Sequence, residues 1–145
     1  MIKKSIVSLL ICLVTVFSFS QDSLLSIKTE IKDFDSLVEN INLCNKHKEV
    51  KIIGNSRLKG EYTGVVYKDF VSGEVSKVKI FYNSGEEAEI FSFQKKIIKA
   101  IFHSDEYYYI NSIFYNRSGS KILRLDVIAH LLDLNSIFKV VIEIS

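Results

Sequence analysis

The chain has 145 residues, of which 48% are hydrophobic, and its formal net charge is +2. The first 20 residues carry two of the 19 basic side chains and none of the 17 acidic ones, so the rest of the chain is electrically neutral. This balance gives no general electrostatic case for nucleic acid or an anionic membrane surface as partner, and about 125 residues suit one domain.

Residues 1–20 have the organisation of a bacterial Sec-type signal peptide. Two lysines precede an apolar stretch from Ile6 to Phe19, and Ser18 and Ser20 supply the small residues before a cut. We predict cleavage after Ser20 and a secreted or periplasmic protein with no stable membrane anchor. A retained anchor is the alternative, although the stretch is short against the roughly 20 apolar residues of a spanning helix.

Residues 22–48 show helical spacing, which begins the predicted single domain of residues 21–145. Apolar side chains recur at intervals of three and four residues, and polar ones fill the other side. A second capping signal, Ser36 followed by Glu39, leaves open a break into two helices. Cys44 ends the apolar stripe, and we interpret it as a small buried hydrophobe. A helix docked on its own sheet is favoured over a coiled coil, and the oligomeric state stays open.

Residues 59–128 are predicted to form a meander of antiparallel strands. Two apolar residues, a tyrosine, polar residues and then Ser-Gly recur three times, ending at Gly73, Gly85 and Gly119. Glycine at these places provides the positive φ that a short hairpin turn requires. The strands are predicted near residues 61–70, 74–83, 86–93, 96–103, 106–116 and 120–128, after a short strand at 49–54 and before a C-terminal strand at 138–144.

The predicted fold class is α+β, with an N-terminal amphipathic helix packed on a curved antiparallel sheet of about six to eight strands. Several strands are apolar on both faces. In one of them, alternation places Ile98 and Ala100 on one side and Ile97 and Ile101 on the other. Such a sheet either covers the helix with one face and a second layer or partner with the other, or closes into an up-and-down barrel.

The sequence contains no recognised catalytic, phosphate-binding or metal-binding motif, and we expect no cofactor and no metal site. The histidines lie far apart, and only His103, followed by Asp105 and Glu106, approaches an acid–base cluster. Because tight turns collect polar residues, we interpret this group as a solvated turn. No catalytic residue is therefore assigned.

Three consecutive tyrosines are the most unusual local feature. If residues 106–116 form one strand, alternation places Tyr107, Tyr109 and Tyr115 on one face and Tyr108 on the other, which we assign to the core. Cross-strand packing explains such a cluster in many sheets. Tyrosine also suits recognition surfaces, so these three residues are the candidate contact surface.

The segment Gly60-Glu61-Tyr62-Thr63-Gly64 and the tyrosine and Ser-Gly units after it resemble degenerate MORN-type hairpin repeats. The resemblance covers residues 59–125, although most later glycines and the tryptophan or phenylalanine positions of a MORN unit are missing. It implies a repetitive sheet used for contacts without catalysis, as in small secreted bacterial proteins. It carries over no active residue.

Together these features predict an exported, non-catalytic binding module whose partner is another envelope or extracellular protein. A carrier that holds a small apolar ligand inside a closed barrel is the alternative. An enzyme whose site is assembled from scattered residues ranks last. An interior cavity would favour the carrier, and an open sheet with exposed tyrosines the binding module.

Overall fold

The computed structural model describes residues 2–122, with side chains from Ser23 onward. Its elements are α1 (Ile2–Leu43), β1 (His47–Ser56), β2 (Gly60–Asp69), β3 (Val75–Tyr82), β4 (Glu87–Phe93), β5 (Lys96–Phe102), β6 (Asp105–Ile110) and β7 (Ile113–Asn116). After β7 the chain turns back, and Lys121 forms an isolated bridge with Tyr115. The remainder of the strand predicted at 120–128 and the strand predicted at 138–144 lie outside the described residues.

The seven strands form one antiparallel sheet in the order β1-β2-β3-β4-β5-β6-β7. Every strand pairs with its neighbours in sequence, which is the meander that short local connections favour. Within the described residues β1 and β7 are the two edges, so the sheet is open and the barrel alternative does not hold. The predicted α+β class, a helix on an antiparallel meander, is confirmed.

Helix α1 is a single helix, and it ends earlier than the predicted residue 48. It continues through Ser36 and Glu39 without a break and ends at Leu43. After the helix the backbone carbonyl of Lys46 accepts a 3.1 Å hydrogen bond from the Phe70 amide, next to the first β1–β2 pair, His47 and Asp69. The helix also runs through Ser20, and signal cleavage there stays a prediction. Among the described residues no helix is long and apolar enough to cross a membrane.

The two faces of the sheet bury different sets of side chains. On one face α1 crosses β5 and β6, where Ile31 packs with Tyr108 and Ile110. Farther along the helix Val38 packs with Phe91 and Ile98. The opposite face carries the larger apolar cluster, formed by Tyr62, Val66, Val75, Val78, Ile80, Tyr82, Ala88, Ile90, Ile97 and Ala100. Burial on both faces explains why the strand sequences lack a clear polar side.

A bulge in β5 places Ile97 and Ile98 on the faces opposite to those predicted for them. The pairing with β4 shifts register and inserts Ile98 as an extra residue. Ile97 therefore joins the large cluster with Ala100, whereas Ile98 faces α1. Simple alternation had predicted that Ile98 and Ala100 share a face, which is wrong because a bulge shifts the alternation by one residue.

The hairpin turns confirm the role predicted for glycine and add a turn that was missed. Gly73, Gly85 and Gly119 have φ of 70°, 92° and 86°. Asn111 and Ser112 have φ of 50° and 68° and connect β6 to β7 as a two-residue loop. Positive φ at both positions is the signature of a type I′ turn. The strand predicted at 106–116 is therefore two strands.

Candidate functional site

Five polar side chains meet where α1 crosses the sheet. We call this group, formed by Asp35, Lys99, Glu106, Tyr108 and Arg117, the helix clamp. Asp35 comes from the buried side of α1, Lys99 from the middle of β5, and Glu106 and Tyr108 alternate on β6. Arg117 follows β7 directly. Lys99 and Tyr108 are cross-strand partners, which places both on the face that α1 covers.

Lys99 is the centre of the helix clamp. Its side chain is only 6% exposed, and its Nζ lies 3.1 Å from Asp35 Oδ1 and 2.9 Å from Glu106 Oε1. Nζ also lies 5.2 Å from the centre of the Tyr108 ring. Removing an ammonium group from water is strongly unfavourable unless it is paired, and two carboxylates and an aromatic face provide that pairing here.

Asp35 receives hydrogen bonds from three sides. The Tyr108 hydroxyl donates to Asp35 Oδ1 at 2.8 Å, and Arg117 Nη1 lies 3.0 Å from Oδ2. Burial alone would raise the pKa of Asp35, but the hydrogen bonds from Tyr108, Lys99 and Arg117 outweigh it and hold that pKa below its ordinary value. Asp35 is therefore an ionised acceptor that ties α1 to two strands and to the turn after β7.

The other members of the helix clamp are equally committed to internal contacts. The hydrogen bond from Arg117 Nε, opposed by burial and supported by Lys99, lowers the pKa of Glu106. Burial and the bond to Asp35 raise the pKa of Tyr108, so its hydroxyl stays protonated and acts as a donor. The carboxylates of Asp35 and Glu106 are thus paired with Lys99 and Arg117, and Asp35 also accepts the Tyr108 hydroxyl. The arrangement can fasten the helix, and it leaves none of these groups poised as a nucleophile or base.

An open cleft of about 580 Å³ lies beside the helix clamp. Its lining residues are Ser104, Asp105, Glu106, Tyr107, Asn116, Arg117, Ser118, Lys121 and Ile122. Glu106 and Arg117 reach it from the clamp, where each already has an oppositely charged partner. The cleft is polar and open, and the two clamp residues that line it, Glu106 and Arg117, are paired with each other.

The polar turn at His103 does not form an acid–base cluster. His103 is exposed and lies 3.7 Å from Glu86 Oε1, whereas Glu106 faces α1 in the helix clamp. Asp105 is also exposed. The three neighbours in sequence are thus separated by strand alternation. In the part of the chain that the structure describes, no group of three or more histidine, cysteine or acidic side chains could hold a metal ion.

The candidate tyrosines do not form one surface. Tyr109 packs against Phe114 with ring centres 4.6 Å apart, and Tyr107 contacts Phe102 on the same face. Tyr115 pairs with Tyr108 across β6 and β7 and packs in the cluster beneath α1. The assignment of Tyr115 to the face of Tyr107 and Tyr109 was wrong because the Asn111–Ser112 turn resets the alternation. Partner contact by Tyr107 and Tyr109 stays a prediction.

Four exposed apolar side chains lie at one end of the sheet, where α1 ends and the β2–β3 and β4–β5 turns lie; five others in the described residues, Leu24, Leu25, Ile53, Leu58 and Phe81, lie toward the opposite end. We call Leu43, Phe70, Val71 and Phe93 the apolar end. Phe70 is 74% exposed and Val71 is 90% exposed, at the tip of the β2–β3 turn. In an antiparallel meander alternate turns fall at the same end, so the topology brings these segments together.

The β2–β3 turn is held by Asp69 rather than by its apolar residues. Asp69 Oδ1 accepts hydrogen bonds of 2.9 Å from the amides of Val71 and Ser72. The bonds from Ser72 and Val71 lower the pKa of Asp69. The Gly73 amide bonds the Asp69 carbonyl at 2.9 Å. Phe70 and Val71 are thus presented outward by a turn with its own hydrogen bonds.

A groove of about 330 Å³ runs beneath the apolar end, between the last turn of α1 and the sheet. Leu37, Ile41 and Phe93 supply apolar walls, and Cys44 and His47 lie along it. Cys44 is half-buried here, at the edge of the groove rather than deep in the core.

The sequence analysis predicted neither the helix clamp nor the apolar end, although each left a signal in the sequence. Lys99 is the only charged residue in the apolar run that follows Lys96 in β5, which is unusual for a strand buried on both faces. Phe70 and Val71 occupy turn positions where polar residues are the rule. Comparison with family models, with curated proteins and with solved structures gave no match to this chain. The MORN-type resemblance therefore stays a prediction.

Proposed function

We propose that the protein is an exported, non-catalytic module that binds another component of the envelope or extracellular space through its apolar end. The sequence analysis favoured a protein as that component. The observation that carries the proposal is the presentation of Val71, 90% exposed, at the tip of a turn held by Asp69.

The exposure of the apolar end is energetically unfavourable for the free protein. Burying a valine, leucine or phenylalanine side chain is worth roughly 1.5–3 kcal/mol, and the apolar end leaves much of this gain unused. Its four large apolar side chains lie at the same end of the sheet, and Phe70 and Val71 are adjacent in one turn. Gathered apolar surface on a folded domain is typical of contact sites.

The competing functions have less support. A small apolar ligand carrier was expected to enclose its ligand in a closed barrel, and the described strands form an open sheet. An enzyme would need reactive groups, and the main cluster of ionisable side chains, the helix clamp, is internally paired. We therefore place the carrier second and the enzyme third.

Photo-crosslinking in the native cell tests the proposal. A benzophenone amino acid at Val71 would react with C–H bonds of any protein or lipid that covers the apolar end. Leu58 is the matched control, because it is 56% exposed in the β1–β2 turn at the opposite end. We expect a discrete adduct at position 71 and little at position 58. Equal labelling at both positions, or none at 71, would contradict the proposal.

A further inference from the structure

Exposed lysines surround the apolar end. Lys46 precedes β1, and its carbonyl bonds the Phe70 amide. Lys95 lies in the β4–β5 turn and Lys96 begins β5, and both are exposed. Lys48 lies one step further into the sheet.

Acidic groups also lie at this end, and some of them are engaged. Asp69 and Glu74 are half-buried, and the Asp69 carboxylate already accepts two backbone amides. Glu49, next to Lys48, and Glu39, four residues before the end of α1, are exposed acids in the same region. Other acids, such as Glu61 and Asp105, begin strands at the opposite end. This distribution explains why the neutral total charge gave no sign of a basic rim.

The shape of the apolar end indicates what it meets. Phe70 and Val71 project from a turn, so the surface is convex there. A protein partner would need a concave pocket to receive them, and a membrane would not. A convex apolar tip with ammonium groups around it matches a membrane interface. Apolar side chains enter the boundary between headgroups and acyl chains, and lysines meet the phosphates.

We propose that the apolar end docks on a bilayer that contains anionic phospholipid. Phe70 and Val71 enter the interface, Leu43 and Phe93 lie at its surface, and Lys46, Lys95 and Lys96 contact headgroup phosphates. The inference rests on the proposed function and replaces the protein expected from the sequence with a lipid surface.

The chain contains no tryptophan, so a single introduced tryptophan reports its own surroundings. Val71→Trp and the control Leu58→Trp, each in the protein as recovered after export, would be mixed with vesicles. One set is phosphatidylcholine alone, and the other is phosphatidylcholine with phosphatidylglycerol. We expect the emission of Val71→Trp to shift to the blue with the anionic vesicles only, and Leu58→Trp emission not to move.

The lysines give a second arm. Lys46→Gln, Lys95→Gln and Lys96→Gln, combined in the Val71→Trp protein, should weaken vesicle binding by roughly tenfold or more, because each lysine near an anionic surface adds to the attraction. Added salt should weaken the parent in the same direction. Binding unaffected by both changes would overturn the anionic-lipid assignment.

The outcomes separate this inference from the proposed function. Unshifted emission of Val71→Trp with anionic vesicles overturns the lipid proposal. If position 71 nevertheless crosslinks a protein in cells, the binding function stands and its partner is a protein. If position 71 neither shifts nor crosslinks, both proposals fail.

Discussion

The helix clamp and the apolar end invert the usual distribution of side chains in opposite ways. In the clamp, Lys99 is 6% exposed and is held by Asp35 and Glu106. At the apolar end, Val71 is 90% exposed and faces water. The buried charge has its partners inside the chain, so it serves the fold. The exposed apolar groups serve nothing inside the described chain, which is why we look for their partner outside it.

The largest expected effect is at the centre of the helix clamp. Lys99→Ala removes the cation between two carboxylates and should lower the free energy of unfolding by about 3–5 kcal/mol, as breaking a buried ion pair does. Lys96→Ala, an exposed position on the same strand, should change it by no more than about 0.5 kcal/mol. Urea melts compare the two, and equal midpoints would mean that the clamp does not stabilise the fold.

Tyr108 separates packing from hydrogen bonding in the same cluster. Tyr108→Ala removes a fully buried aromatic ring and should lower the free energy of unfolding by roughly 3 kcal/mol or more. Tyr108→Phe keeps the ring and loses only the 2.8 Å bond to Asp35, at about 1 kcal/mol. Thermal melts would rank the two variants by stability. If Tyr108→Phe is as unstable as Tyr108→Ala, the hydroxyl and not the ring provides most of the stabilisation.

The turn glycines give a smaller, graded effect. Gly119→Val and Gly85→Val both place a β-branched residue at positive φ, which should lower the free energy of unfolding by roughly 1–3 kcal/mol. Gly119 should be slightly the worse site, because a Cβ there would lie 2.9 Å from Leu24 Cδ1, the end of a flexible side chain that would have to move, whereas Gly85 is open. Urea midpoints that rank Gly85→Val below Gly119→Val would contradict this packing of α1.

The smallest effect is a pH dependence. The pKa values of Asp35 and Glu106 are lowered in the folded protein from ordinary values of 3.8 and 4.5. Their contribution is thus fully present above those ordinary values and is lost as the pH falls through the lower folded values. Unfolding midpoints should hold from neutral pH down to about 5 and then decline. Arg117→Gln should flatten this decline, and an unchanged slope would remove Arg117 from the clamp.

The sequence predicted the helix, the meander and its turn glycines because these depend on local patterns. The break at Asn111–Ser112 was missed because this pair signals a turn less strongly than Asn-Gly does. The helix clamp joins Asp35 to Lys99, 64 positions away, and to Arg117, 82 positions away. No periodicity links such distant residues, and the apolar end likewise exists only once separate turns meet.

The central claim is that the apolar end is not required for the fold and is free to make contacts. Phe70→Ser combined with Val71→Ser tests this most directly through the free energy of unfolding in urea. We expect a change of no more than about 0.5 kcal/mol, because both side chains are largely exposed and Asp69 holds the turn. A loss of about 2 kcal/mol or more, the size expected for buried apolar groups, would show that these residues stabilise the fold and would contradict the account.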